Sequence, residues 1–109
     1  MATPEGKVKN AIFEWLLYQP DCLVFPVDTV GIFDPSKRVY RLRRSRFFRR
    51  GVSDIIGIYK GRPLAIEVKS AKGRPTPEQK TFLKDWAEYG GIAILAKSVE
   101  DVAKGLENS

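Results

Sequence analysis

The stretch from Gly51 to Ser70 constrains this chain more than any other. Ile55 to Tyr59 and Leu64 to Val68 are rich in β-branched and aromatic residues and are bounded by turn formers, the pattern of two strands. Gly61-Arg62 reads as a two-residue turn with glycine first, leaving Pro63 at the first residue of the second strand, where proline is tolerated. That turn pairs residues whose numbers sum to 123, so Asp54 is expected opposite Lys69 and Ile56 opposite Glu67. Successive side chains of a strand point to opposite faces. Asp54, Glu67 and Lys69 therefore share one face, and Leu64, Ile66 and Val68 share the other, core-facing one.

Two carboxylates converging in an apolar hairpin repel each other unless a cation lies between them. Lys69 supplies one positive charge. A divalent metal supplies two, and carboxylate oxygens are the donors that Mg²⁺ prefers. Glu67 and Lys69 by themselves also read as ordinary charges on an exposed strand face. The register that brings Asp54 beside them favours a site.

Other chemistry is excluded by what the chain lacks. It has no histidine and a single cysteine, Cys22, which rules out an intrachain disulfide, a Cys/His zinc site and a histidine base. Cys22, flanked by Leu23, Val24 and Phe25, reads as a small buried hydrophobe. With 109 residues the chain is expected to be one domain, residues 1–109. No apolar run approaches a membrane span and the N-terminus has no signal-peptide pattern, so an intracellular protein without membrane contact is expected.

The net charge of +6 is concentrated. Lys37, Arg38, Arg41, Arg43, Arg44, Arg46, Arg49 and Arg50 crowd into 14 residues that contain no acid, and outside them 11 basic residues face 13 acidic ones. All of the positive excess lies in one segment, which suits a polyanion. Val39, Tyr40, Leu42, Phe47 and Phe48 are interleaved with the arginines, so forked phosphate donors stand next to rings able to stack on unpaired bases. A charge run of this kind also serves as a solvated loop. Its position just before Asp54 favours nucleic acid, with Lys72 and Arg74 in the loop after Lys69 as further contacts.

Thr3-Pro4-Glu5 opens a first helix, with Thr3 as N-cap and Pro4 at the first helical position. Val8, Ala11, Ile12, Trp15 and Leu16 form its apolar stripe. Glu5 lies on the rim of that stripe, and Glu14 lies about 180° away at 100° per residue. Cys22 to Pro26 and Val30 to Phe33 read as short strands with a turn near Asp28. Thr76-Pro77-Glu78-Gln79 opens a second helix with a capping box, Phe82, Leu83, Trp86 and Ala87 supply its core stripe, and Gly90-Gly91 follows it. Ile92 to Ala96 reads as a buried strand, and Ser98 caps a last helix ending near Leu106. The sum is an α/β fold, a mixed central sheet flanked by helices.

In order along the chain, Gly51-Val52-Ser53-Asp54, Gly61 to Lys69 with its Glu67-Val68-Lys69 triplet, Thr76 to Lys80 and Gly90 to Ala93 resemble the virus-type replication-repair nuclease (VRR-NUC) family of the restriction-endonuclease-like superfamily. The resemblance implies an αβββαβ core and a metal-dependent deoxyribonuclease using Mg²⁺ or Mn²⁺, with Asp54, Glu67 and the Val68 carbonyl as ligands. Lys69 would orient water or stabilise the pentacoordinate phosphate. Between two carboxylates it is expected to stay charged, so the stabilising role is preferred. Two readings of Glu5 stand open, a dipole-favouring first-turn acid or the family's helical glutamate near the metal. Gln79 is open in the same way, as a reciprocal cap or, by resemblance, as a residue near the scissile phosphate. Gly6 and Lys9 depart from the family pattern. Stand-alone relatives resemble homodimeric Holliday-junction resolvases, which implies branched DNA and a homodimer. The alternatives are a non-catalytic basic DNA-binding module and a flap, nick or restriction-type nuclease.

Overall fold

A computed structural model describes residues 3–27, 32–37, 39–41 and 49–109. Helix α1 (Pro4–Leu17) begins as expected, with the Thr3 hydroxyl accepting from the Gly6 N–H at 3.0 Å and Pro4 in the first turn. Strand β1 (Cys22–Pro26) follows, then a separate hairpin of β2 (Ile32–Asp34) and β3 (Val39–Arg41). The main sheet resumes with β4 (Ile55–Tyr59) and β5 (Arg62–Val68), crosses over through α2 (Pro77–Glu88) to β6 (Ile92–Ala96), and ends in α3 (Val99–Glu107).

The four-stranded sheet has the order β1-β4-β5-β6, antiparallel except for the parallel β5–β6 pair. A parallel neighbour requires a crossover, and α2 provides it. The expected αβββαβ core is therefore present, with the β2–β3 hairpin added between its first two sheet strands. The short strand expected at Val30 to Phe33 belongs to that hairpin and pairs outside the main sheet; Val30 and Gly31 lie outside the described residues. The periodicity held no sign of β3, because Val39 to Arg41 sits in the arginine-rich run.

The hairpin turn differs from the sequence expectation. It is formed by Lys60 and Gly61, with φ of 49° and 80°, which is the two-residue turn that needs two positive-φ positions. Ile55 pairs with Ile66 and Tyr59 with Arg62, so partner numbers sum to 121 rather than 123. Asp54 is thereby set against Glu67, not Lys69. A slip of two residues keeps every side chain on its predicted face, where a slip of one would have reversed them all.

Leu64, Ile66 and Val68 enter the core with Ile12 and Leu16 of α1, Val24, Ile55, Ile92, Ile94 and Ala96 of the sheet, and Val102 and Leu106 of α3. Each large side chain here stabilises the fold by roughly 1.5–3 kcal/mol through burial. Helix α2 packs on β5 and β6 through the other face of the sheet. Covered from both sides, β5 is buried from Leu64 through Val68. Cys22 is half-buried beside the core, and burial pushes its thiol pKa up, as fits a packing residue. No helix among the described residues is long and apolar enough to cross a membrane.

Candidate active site

The last residues of β5 are where the apolar strand becomes polar. Glu67 is only 2 % exposed and Lys69 follows it on the same face. Asp54 arrives from the residue before β4, and its Oδ2 accepts a hydrogen bond from the Val68 N–H at 2.8 Å. The two acids thus lie side by side across the hairpin. The Lys69 Nζ is 3.5 Å from Glu67 Oε2 and 3.9 Å from Glu5 Oε1.

Helix α1 brings two groups to this point. Glu5 reaches Lys69, while Glu14 is exposed and has no part in the site. One turn beyond Glu5, Lys9 places its Nζ 3.3 Å from Asp54 Oδ1. The i, i+4 spacing of Glu5 and Lys9 was readable in the sequence, but only the helix packing shows that the pair faces the acids. Among the described residues, Lys9 is the contributor that sequence reasoning missed.

Glu67 is the strained member of the group. Burial, then the hydrogen bond and charge of Asp54, push its pKa up to about 8, while Lys69 pulls the other way. Its Oε1 is buried with no hydrogen-bond partner. A buried carboxyl with an orphaned oxygen beside a second carboxylate holds its proton until a hard cation takes the proton's place. Among the described residues no three acids converge into a closed metal cage, and Glu5 sits on Lys69 rather than with Asp54 and Glu67. Two carboxylates nevertheless suit Mg²⁺, which keeps several waters and uses few protein ligands.

Gln79 is engaged in its cap: its Oε1 accepts from the Thr76 N–H at 2.9 Å, and its own N–H donates to Thr76 Oγ1 at 3.2 Å. This cap touches the segment that leads to Asp54. Gly51, at φ 81°, lies so close to the first turn of α2 that an added Cβ would come within 2.4 Å of the Glu78 backbone. Only glycine meets both demands. Lys72 and Arg74 are exposed in the loop after Lys69, and Lys97 Nζ holds that loop through the Ala71 carbonyl at 3.1 Å. Of the basic segment, Arg50 is exposed and Arg49 pairs with Asp85 at 2.6 Å. Arg41 lies in β3; Arg38, Arg43, Arg44 and Arg46 lie outside the described residues.

No family profile and no curated protein matches this chain. A solved structure described as a "VRR_NUC domain protein" does match, with a TM-score of 0.62 and 22 % identity over 98 % of this chain and 88 % of that one. The chain has the VRR_NUC fold. The VRR_NUC likeness spans nearly the whole chain, so it covers the elements that carry Glu5, Asp54, Glu67 and Lys69 together.

Proposed function

We propose that this chain is a divalent-metal-dependent DNA endonuclease, with branched DNA as its substrate and a homodimer as its working form. The observation that carries the reading is the half-buried Asp54 set against the buried Glu67, with an unpartnered Glu67 oxygen and the Lys69 ammonium 3.5 Å away.

Mg²⁺ or Mn²⁺ would be held by Asp54, Glu67 and the Val68 carbonyl, with Glu5 at the periphery. When bound it supplies acidified water and polarised phosphate oxygens. The residues of the chain do the rest. Asp54, fixed through the Val68 N–H, and Glu67, fixed by burial, set the position of the scissile phosphate. Lys69 donates to the oxygen on which negative charge grows, a role suited to an ammonium steadied by carboxylates. Lys72, Arg74, Arg50 and the arginines before them hold the backbone on either side.

A two-fold junction asks for two sites related by the same symmetry. Leu23, Phe25 and Ile58, 71 %, 54 % and 48 % exposed, form an apolar patch on edge strand β1 and its neighbour β4 that a second copy would cover.

A second reading, a basic DNA-binding module without catalysis, is favoured by the Lys9 ammonium already seated on Asp54. The two separate on labelled four-way junction, flap and linear duplex, each with and without Mg²⁺ or Mn²⁺. Metal-dependent cutting of branched DNA, lost in Glu67→Ala and Lys69→Ala, is expected; unaltered cutting by Glu67→Ala would remove the proposed site.

A further inference from the structure

Away from the acids, between α2 and the beginnings of β5 and β6, lies a cleft of about 220 Å³ walled by Pro63, Phe82, Trp86, Tyr89 and Gly91. Phe82 and Trp86 stack with centroids 5.4 Å apart. The indole lies so closely over Gly91 that a Cβ there would come within 2.4 Å of the ring. Trp86 Nε1 donates to the Pro63 carbonyl at 3.4 Å, which fixes the ring further. Tyr89 is 91 % exposed, and its ring has no partner among the described residues.

The polar wall decides what such a cleft would take. Arg49 is 2.6 Å from Asp85 and lies 5.4 Å over the Phe82 ring. An arginine already paired with an acid is a poor clamp for a bare phosphate. The pair offers both donors and acceptors with little net charge, while the other walls are flat and apolar. A planar, neutral ring system with a hydrogen-bonding edge matches those walls, and bases stack on aromatic side chains irrespective of sequence. Location agrees. Arg49 belongs to the basic segment and stands two residues before Gly51, at the entry to the catalytic hairpin. Pro63 lies four residue steps before Glu67 along β5, roughly 13 Å of strand, or about four stacked nucleotides.

We infer that this cleft receives one unpaired nucleobase of the DNA cut at Asp54 and Glu67, so that the protein senses a break in pairing a few nucleotides from the bond it hydrolyses. The inference rests on the nuclease reading above. It adds a positive means of telling a branch or flap from continuous duplex.

Binding in EDTA tests it apart from cutting. Two fluorescein-labelled duplexes, one fully paired and one carrying a single unpaired 2-aminopurine, are titrated with protein, reading anisotropy and 2-aminopurine quenching. The wild-type chain should prefer the unpaired base by roughly ten-fold and quench it. Tyr89→Ala should bind the two duplexes alike without quenching, and Tyr89→Phe, which keeps the ring, should restore both. Equal wild-type affinity for the two duplexes, or preference and quenching that survive Tyr89→Ala, would overturn the inference; a cleft that instead holds a peptide gives the first result. Failure of the nuclease reading shows separately, as absence of metal-dependent cutting by a wild-type chain that still discriminates the unpaired base.

Discussion

The Asp54 carboxylate accepts a hydrogen bond from the Val68 backbone N–H, 2.8 Å away, between the two charged residues Glu67 and Lys69. One oxygen of Asp54 therefore staples the start of β4 to the end of β5, while the other meets Lys9. The same residue has a structural duty and a chemical one.

Asp54→Asn and Asp54→Ala should separate those duties. Asparagine keeps an oxygen for the Val68 N–H and removes the charge, so urea unfolding should stay near wild type while cleavage falls by about 10²-fold or more, the scale seen when a single charge-stabilising group is lost. Alanine leaves the Val68 N–H unpaired, which costs about 1–3 kcal/mol in addition. Equal stability of the two variants would show that the bond contributes nothing.

The elevated Glu67 pKa makes stability depend on pH. Its folded value of about 8 lies above the unfolded value of 4.5, so the protonated form is the one favoured by the fold. That contribution is complete below pH 4.5 and is lost as pH rises to about 8. Metal-free protein should lose a few kcal/mol across this window, since each pH unit between the two values weakens the fold by at most about 1.4 kcal/mol. Glu67→Gln should flatten the profile, raise the melting temperature at pH 8, and abolish both cleavage and stabilisation by Mn²⁺. Ser53, whose hydroxyl is likewise buried without a partner, gives the contrast: Ser53→Ala should stabilise by about 1 kcal/mol with cleavage intact.

Gln79 needs a substitution that keeps the cap. Gln79→Glu retains an acceptor for the Thr76 N–H and adds a charge welcome at a helix N-terminus, so stability should hold. If Gln79 serves only as a cap, cleavage by Gln79→Glu should match wild type, whereas a carboxylate beside a scissile phosphate would slow it. Gln79→Ala should cost about 1 kcal/mol in denaturant unfolding.

The face on which the site would form could be read because alternation has a period of two, and even the wrong turn left it intact. Choosing Gly61-Arg62 over Lys60-Gly61 was the natural error. Lysine at positive φ is uncommon, and nothing local marks Lys60 for it. The helix N-caps were legible because each depends on four neighbouring residues. Lys9 and the aromatic cleft were not, because both are made by packing between segments far apart in sequence. Strand β3 was hidden by arginines whose charge overrode the weak strand signal of Val39 and Tyr40.

Lys9 offers the sharpest test of how α1 tunes the site. Its ammonium lies 3.3 Å from Asp54 Oδ1, and the Lys9 and Asp54 side chains are 36 % and 22 % exposed, so solvent screens much of the attraction. The pair is worth about 0.5–1 kcal/mol at such exposure. A divalent ion at Asp54 and Glu67 meets Lys9 as a like charge. Lys9→Met, which preserves the aliphatic stem on the helix, should therefore tighten Mn²⁺ binding by about two- to five-fold in calorimetric titration, with a gain that shrinks as salt rises. Glu5→Gln should weaken binding, because it removes an acid held by Lys69, while Glu14→Gln on the exposed side of the same helix should match wild type. Weaker Mn²⁺ binding by Lys9→Met would mean that the ammonium holds Asp54 in place for the ion rather than competing with it.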